Sequence, residues 1–596
     1  MNKVMNLKNR SGITLIALVV TIIVLLILAG VAIVTLTGEN GLLSKASAAT
    51  ESTAKSALEE EVKLALQEKK TNNMIGDNTS DLGYYLSKIG GATIEQLAND
   101  AWYVTRGKAE VTVYDSGDIT TGKIDIWDGV SQEVPQFQES NWYIYNSAQM
   151  KFFADFVNNA NTLTDEQKTL VAEEGYNESD ITITEDTIVY LMSDLDLGAR
   201  QTNGTLTSGT EWTPIGKTSE LTFIGTFEGN NHNILGVYID QTENYAGIFG
   251  NSNTIMNLTI KNSYIKGASC SAGIVGVLRT GKLENCHNIN TTVILREGAY
   301  TSVGGVVGYS GASITVSNCS NSGTIIGDGV TTTGYSRVGG VVGCLNTSGT
   351  VSNCSNTGTV TGQGINVGGV IGHAYTSGTV SNCSNTGTVT GQEHQVGGVV
   401  GGLNTSGTVS NCNNTGTVTG QGDYIGGVVG ITFGTIEKCY NEGTVTGKTT
   451  EGLGGICGEI GMNCTATIQN CYNKGTVIEE VNDAVGVGGI VGYISTTGTS
   501  GTISNNYNVG RIEIKGQNVT KVGGIIGRIA TDAFTRTNNY YIEGTFRTED
   551  NEEGESKTEQ EMKEQSFVDL LNTSLEEAVW EIIAGENEGY PVIKDM

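Results

Sequence analysis

Proline, positive charge and charge of any kind are all scarce in this sequence. Only 3 of 596 residues are Pro, too few for a collagen-like or proline-rich extended chain. The 34 Lys and Arg face 63 Asp and Glu, a formal net charge of −29, which excludes a nucleic-acid binder working through a basic surface. Charged residues make up 16% where about 25% is usual, yet the 38% hydrophobic fraction can build a core. No Cys-x-x-Cys pair occurs among the 11 Cys, which all lie between Cys270 and Cys471, and His232, His287, His373 and His394 are scattered. Neither set has metal-ligand spacing, so no metal or cofactor is expected. Trp is absent from residues 213–579, as a well too narrow for the indole would require. Gly is abundant, at 83 residues, and with so little Pro it marks many tight turns between short strands.

One long apolar run is present. Residues 13–36 carry no charge, enough for a helix across a bilayer. Lys3, Lys8 and Arg10 precede it and all 63 acids follow it, so residues 1–12 are expected in the cytoplasm and the bulk outside. Cleavage by signal peptidase at Ala46-Ser47-Ala48 is the competing reading. Past Gly41, Ala54, Leu58, Val62, Ala65 and Leu66 share one helical face, which predicts a stalk helix to about residue 72. Residues 73–135 read as a small α+β segment, helical at 82–89, alternating at 110–114 and 123–127, and ending near Pro135.

The string Ser11-Gly12-Ile13-Thr14-Leu15-Ile16-Ala17-Leu18-Val19-Val20 resembles the processing site of type IV prepilins. The resemblance implies a leader of residues 1–12 ending at Gly12, and a mature, methylated terminus at Ile13. It also implies prepilin peptidase and a pilus or secretion-type assembly machinery as partners, at the cytoplasmic membrane. Ala17 stands where that family usually has Glu, which favours a minor or tip position over a bulk subunit. An unprocessed membrane anchor is the alternative.

The middle of the chain is one repeat. A 17-residue string at 347–363 recurs identically at 376–392, and at 405–421 with one change, Asn413. Gly followed by two apolar residues and usually Gly begins at Gly247, Gly273, Gly305, Gly340, Gly369, Gly398, Gly427, Gly455, Gly489 and Gly524, at intervals of 26 to 35 residues. This period, with short β-branched segments closed by Gly or Asn, predicts a solenoid of stacked strands; frequent Gly with Thr, Val, Ser and Asn argues against helical repeats. Three strands per coil are expected, at 338–342, 350–355 and 358–361. Val351 and Cys354 differ in parity, so a bend is expected between them, with Asn353, Asn382 and Asn411 stacking their amides coil on coil. Cys319, Cys354, Cys383, Cys412, Cys439 and Cys471 occupy one place per repeat, which predicts a column of free, buried thiols. The off-column Cys344, Cys457 and Cys464 leave room for one disulfide.

Gly-Gly-apolar-apolar-Gly followed by Asn-Cys-x-Asn-x-Gly, as at 338–359 and in the repeats after it, resembles bacterial surface proteins carrying the GLUG motif. The likeness reaches upstream to 190–198, 212–216 and 225–232, and covers roughly residues 140–596. It implies a right-handed parallel β-helix, here of about ten coils, on a cell-surface adhesin with an unidentified glycan or protein ligand. The expected organisation is an N-terminal cap and first strands at 136–222, a β-helix at 223–546, and an acidic linker with a C-terminal cap at 547–596. The N-terminal cap includes a helix at 147–158 with Ser147 as N-cap, and the C-terminal one starts at a capping box, Thr558-x-x-Glu561.

Residues 339–422 contain one acid, Glu393, and no Lys or Arg, so that stretch cannot hold the carboxylates and cations of a polysaccharide-cleaving site. Asp194 and Asp196 read as strand-edge carboxylates, with a calcium pair as the alternative. No enzymatic activity is expected. Two other readings stand: an enzyme with its site in the irregular coils 190–300, and an ice-binding face built from Thr-Val-Thr triplets at 359–361, 388–390, 417–419 and 444–446.

Overall fold

The computed structural model describes residues 42–75, 80–242, 244–296, 301–312, 314–327, 336–449, 451–495, 498–530, 533–545, 553–573 and 575–596. Gly12, Ile13 and the apolar run at 13–36 lie outside them. The chain divides into two compact units between Ile124 and Asp125. In the first, helix Leu42–Met74 and the short helix Leu82–Leu86 accompany a four-stranded antiparallel sheet of Thr93–Ala98, Ala101–Arg106, Ala109–Tyr114 and Ile119–Thr121. Leu58, Val62, Ala65 and Leu66 are buried with Trp102, Val104, Val111 and Val113, whereas Ala54 is exposed. The helix face read from the sequence is thus a packing face whose burial contributes about 1.5–3 kcal/mol per large side chain. Among the described residues, no helix is long and apolar enough to cross a membrane.

The second unit is mainly β, a parallel solenoid. A representative coil runs through Ser336–Gly339, Val342–Leu345, Thr350–Ser352, Ser355–Asn356 and Thr359–Gly362. Each strand pairs in parallel with its counterpart one repeat later: Val338 with Val367, Val342 with Ile371, Val351 with Val380, Asn356 with Asn385 and Thr361 with Thr390. The coil therefore has five strands, not the expected three. Asn353, at φ 54°, breaks the expected 350–355 segment, and a turn at Gly340-Val341 breaks 338–342 so that Val338, Val341 and Val342 all point inward. Two of the ladders contain ten strands each, hence nine steps between first and last, so the solenoid makes about nine turns rather than ten.

Within a coil, Val338, Val341, Val342, Leu345, Val351, Cys354 and Val360 are all buried. Their burial offsets the cost of ordering a coil's backbone, about 1–2 kcal/mol per residue, only when a neighbour covers them. At the N-terminal side the well is wider and aromatic: Trp142, Phe153, Phe223, Phe227 and Phe249 are buried together, with Phe153 and Phe223 rings 5.2 Å apart. Helix Ser147–Asn158 joins this cluster through Met150, Phe152, Phe153 and Phe156. Its N-cap is Asn146 and not Ser147: Asn146 is extended and its Oδ1 accepts from Gln149 N at 2.9 Å, while Ser147 Oγ donates to the Asp196 carbonyl at 3.1 Å.

The C-terminal segment also departs from expectation. Thr558 and Glu561 form the capping box of helix Glu559–Met562. This helix and Gln565–Leu571 lie on the flank of three coils rather than across the last one. Tyr440, Tyr472 and Tyr507 stack with near-parallel rings at 4.8 and 5.1 Å. Met562, Phe567 and Trp580 bury Tyr472, Tyr507 and Tyr540, and Asn587 Nδ2 donates to Tyr507 Oη at 3.0 Å. Strand Glu555–Lys557 pairs in parallel with Tyr540–Ile542 and so covers one edge of the final coil.

Candidate functional surface

The six column cysteines Cys319, Cys354, Cys383, Cys412, Cys439 and Cys471 occupy one interior position in successive coils, and Cys286 precedes them there. All 11 Cys are free and buried, including Cys344, Cys457 and Cys464. Each column thiol points back along its own chain: Cys383 Sγ lies 3.2 Å from the Ser381 carbonyl and 3.8 Å from Val351 O in the preceding coil. Burial pushes the thiols of Cys319, Cys412 and Cys439 well above their ordinary range, which keeps them protonated and poor nucleophiles. In the last two coils Asn506 and Asn539 take over: Asn506 Oδ1 accepts from Cys471 N at 2.8 Å and its Nδ2 donates to Asn539 Oδ1 at 3.0 Å.

The amide ladder runs three residues beyond the asparagines expected to form it. Asn353, Asn382 and Asn411 sit at the bend with φ of 54°, 52° and 51°, a left-handed conformation that Asn tolerates. The fully buried column is Asn288, Asn321, Asn356, Asn385, Asn414, Asn441, Asn473 and Asn508. Each Nδ2 donates to the Oδ1 of the next at 2.7–2.8 Å. The same column explains the paired glycines. A Cβ at Gly369 would stand 2.0 Å from Gly398 O and 2.5 Å from the Asn385 amide carbon, so only Gly lets amide and backbone approach. At the last coil Tyr541 replaces Asn, and its ring ends the ladder beneath Gly524.

Outside, the solenoid presents a polar row. Val360, Val389, Val418 and Val445 point inward while Thr361, Thr390, Thr419 and Thr446 stack outward in register. A second row, mostly buried and only in part polar, follows the third Gly of each glycine motif: Tyr309, Cys344, His373, Gly402, Ile431, Glu459, Tyr493 and Arg528 are paired neighbours. Sequence reasoning passed over this row, although its signal was legible as the variable position in an otherwise regular string. Burial pushes Glu459 up to about 8, helped by Glu451 and Asp423, and Glu479, fully buried, up to about 7.

The two aspartates read as strand-edge carboxylates are both engaged. Asp196 holds Arg200 through both carboxylate oxygens at 3.0 and 2.8 Å. Asp194 accepts from Asn233 N at 2.9 Å and lies 3.1 Å from His232 Nδ1. Among the described residues, no group of three or more His, Cys, Asp or Glu is arranged to hold a metal ion.

Fold and columns together define a parallel β-solenoid assembled from glycine- and asparagine-marked repeats. The chain carries GLUG motifs: the family model for the GLUG motif matches residues 299–326, 334–361, 363–390, 392–419 and 421–446, within the stretch where paired glycines face the amide ladder. No curated protein matches the chain. Among solved structures, a Bacteroides ovatus protein provisionally described as an immunoglobulin A1 protease is similar at 14% identity, over 76% of this chain and 92% of that one, with a TM-score of 0.29.

Proposed function

We propose that this is a pilin-like, membrane-inserted cell-surface protein that presents a right-handed β-helix for adhesion, as a minor or tip component and without catalytic activity. The observation that carries the reading is the long outer face of registered Thr and Ser rows, nearly free of charge between residues 339 and 422. Such a face offers repeated hydroxyls to a partner and lacks the acid, base and cation of a cleavage site. Engagement of Asp194 and Asp196 with His232, Asn233 and Arg200 supports binding over catalysis. The basic leader, Gly12 and the apolar run support membrane insertion, with prepilin peptidase and an assembly machinery as partners. Helix Ser147–Asn158 and strand Glu555–Lys557 serve in this reading as covers of the solenoid's two ends. Mass spectrometry of the mature protein should show a start at Ile13, and Gly12→Leu should leave the leader attached; a start at Ala49 would overturn the pilin-like reading. Hydrolysis of polysaccharides by the purified protein would overturn the non-catalytic one.

A further inference from the structure

A cavity of about 470 Å³ opens on the N-terminal coils, lined by Tyr245, Tyr309, Tyr375, Arg279 and Arg337 among others. That volume falls in the usual small-ligand range of roughly 300–1,000 Å³. In a chain of net charge −29, none of the residues lining this cavity is acidic. Arg337 is only 8% exposed, and its guanidinium lies over the Tyr375 ring at 5.1 Å with one Nη donating to Tyr375 Oη at 2.5 Å. Its Nε is buried without a hydrogen-bond acceptor. Among the described residues no carboxylate pairs with it.

Among the described residues, the titratable side chains nearest to Arg337 are neutral as well. Burial holds the Cys270 thiol at about 11 and the Cys344 thiol at about 12. Burial, then the charge of Arg337, lowers His373 to about 4. All three are neutral near pH 7, so among the described residues the guanidinium is a buried cation without a counter-charge, which is costly. Its planar fork matches a carboxylate. Arg279 brings a second guanidinium, steadied by its Nε donating to Asn251 Oδ1 at 3.1 Å. The partly exposed rings of Tyr245 and Tyr309 offer flat apolar faces of the kind that the C–H face of a sugar ring covers, while the Tyr375 ring packs on Arg337 and His373.

We propose that this cavity binds a carboxylate-bearing sugar residue of an acidic glycan, with Arg337 and Arg279 on the carboxylate, and Tyr245 and Tyr309 against the ring. The proposal rests on the adhesive reading above and names its ligand class. The rings favour a glycan over an acidic peptide, whose carboxylates carry no comparable face.

The test titrates the full chain with oligogalacturonate, its methyl-esterified form, a sialylated oligosaccharide and oligoglutamate. At least one carboxylated sugar should bind, separating uronate from sialate recognition, while esterification should abolish uronate binding. Arg337→Met should weaken binding at least tenfold, with a melting temperature no lower than that of the unsubstituted protein, because an uncompensated buried charge has been removed. Arg337→Lys, which keeps charge but not the fork, should also bind more weakly, and it carries the test if the Met variant does not fold. Binding of neither carboxylated sugar, binding of oligoglutamate alone, or equal binding by the Arg337 variants would overturn the proposal. The mature N-terminus is measured separately, so failure here and failure of the surface reading are distinguishable.

Discussion

At the scale of the residue, two interior columns set the tolerance of each coil. Cys383→Ser should destabilise by about 1–3 kcal/mol, since the hydroxyl sits among Val351, Cys354 and Cys412 with only backbone carbonyls to bond. Cys383→Ala should cost less, leaving only a small cavity. Denaturant melts would rank the two, and alkylation of all six column thiols in the native protein would contradict their burial. Asn385→Ala should be worse than either, by roughly 2–4 kcal/mol: it strands the Asn356 donor and the Asn414 acceptor and removes the bond to Gly387 O. An Asn382→Ala change should cost less, because it strains one left-handed residue and breaks no amide chain. Equal losses at 382 and 385 would count against the ladder as placed here.

At the scale of the element, coils exchange and the C-terminal segment does not. Residues 369–397 form one complete 29-residue repeat, and its ladders contact chiefly the coils before and after it. Deleting it should leave a folded chain, since Asn356 then meets Asn414 as it met Asn385, at the cost of about one interface. Removing residues 556–596 should be damaging, because it uncovers Tyr472, Tyr507 and Tyr540 and takes most of the strand paired to Tyr540–Ile542. Exposed aromatic rings beside open strand edges invite aggregation. Circular dichroism and size-exclusion chromatography of both deletions would decide; a tolerated truncation with a lethal repeat deletion would overturn this account.

At the scale of the whole molecule, stability should fall as pH rises. Glu459 and Glu479 are raised from the ordinary 4.5 to about 8 and about 7. Between those limits the folded chain holds protons that the unfolded chain has released, so stability is lost as pH climbs through that window and is constant above it. With both carboxyls held at those values, the loss should be on the order of 6 kcal/mol between pH 5 and 8. Glu459→Gln with Glu479→Gln should flatten that slope and stabilise the protein at pH 9. Thermal melts across the range, with and without the two substitutions, measure it; an unchanged slope would show that neither carboxyl is held neutral by burial.

The repeat period, the strand character of the coils, the inward valines and the cysteine position were legible in the sequence because they follow from local pattern: an identical string must stack on itself in register, and a small apolar residue at a fixed place must form a column. The capping box at Thr558 was legible for the same reason. The amide ladder was not. Asn353 and Asn356 recur equally, and only the turn of the chain at Asn353 sends one to a left-handed bend and the other into the core. The flank position of the C-terminal helices was likewise hidden, since it depends on Tyr440, Tyr472, Tyr507 and Tyr540 aligning across coils 32 to 35 residues apart. The cavity around Arg337 joins residues from 245 to 375. Local pattern determined what each coil is; stacking, which brings distant residues within about 5 Å of one another, decided what the coils present together.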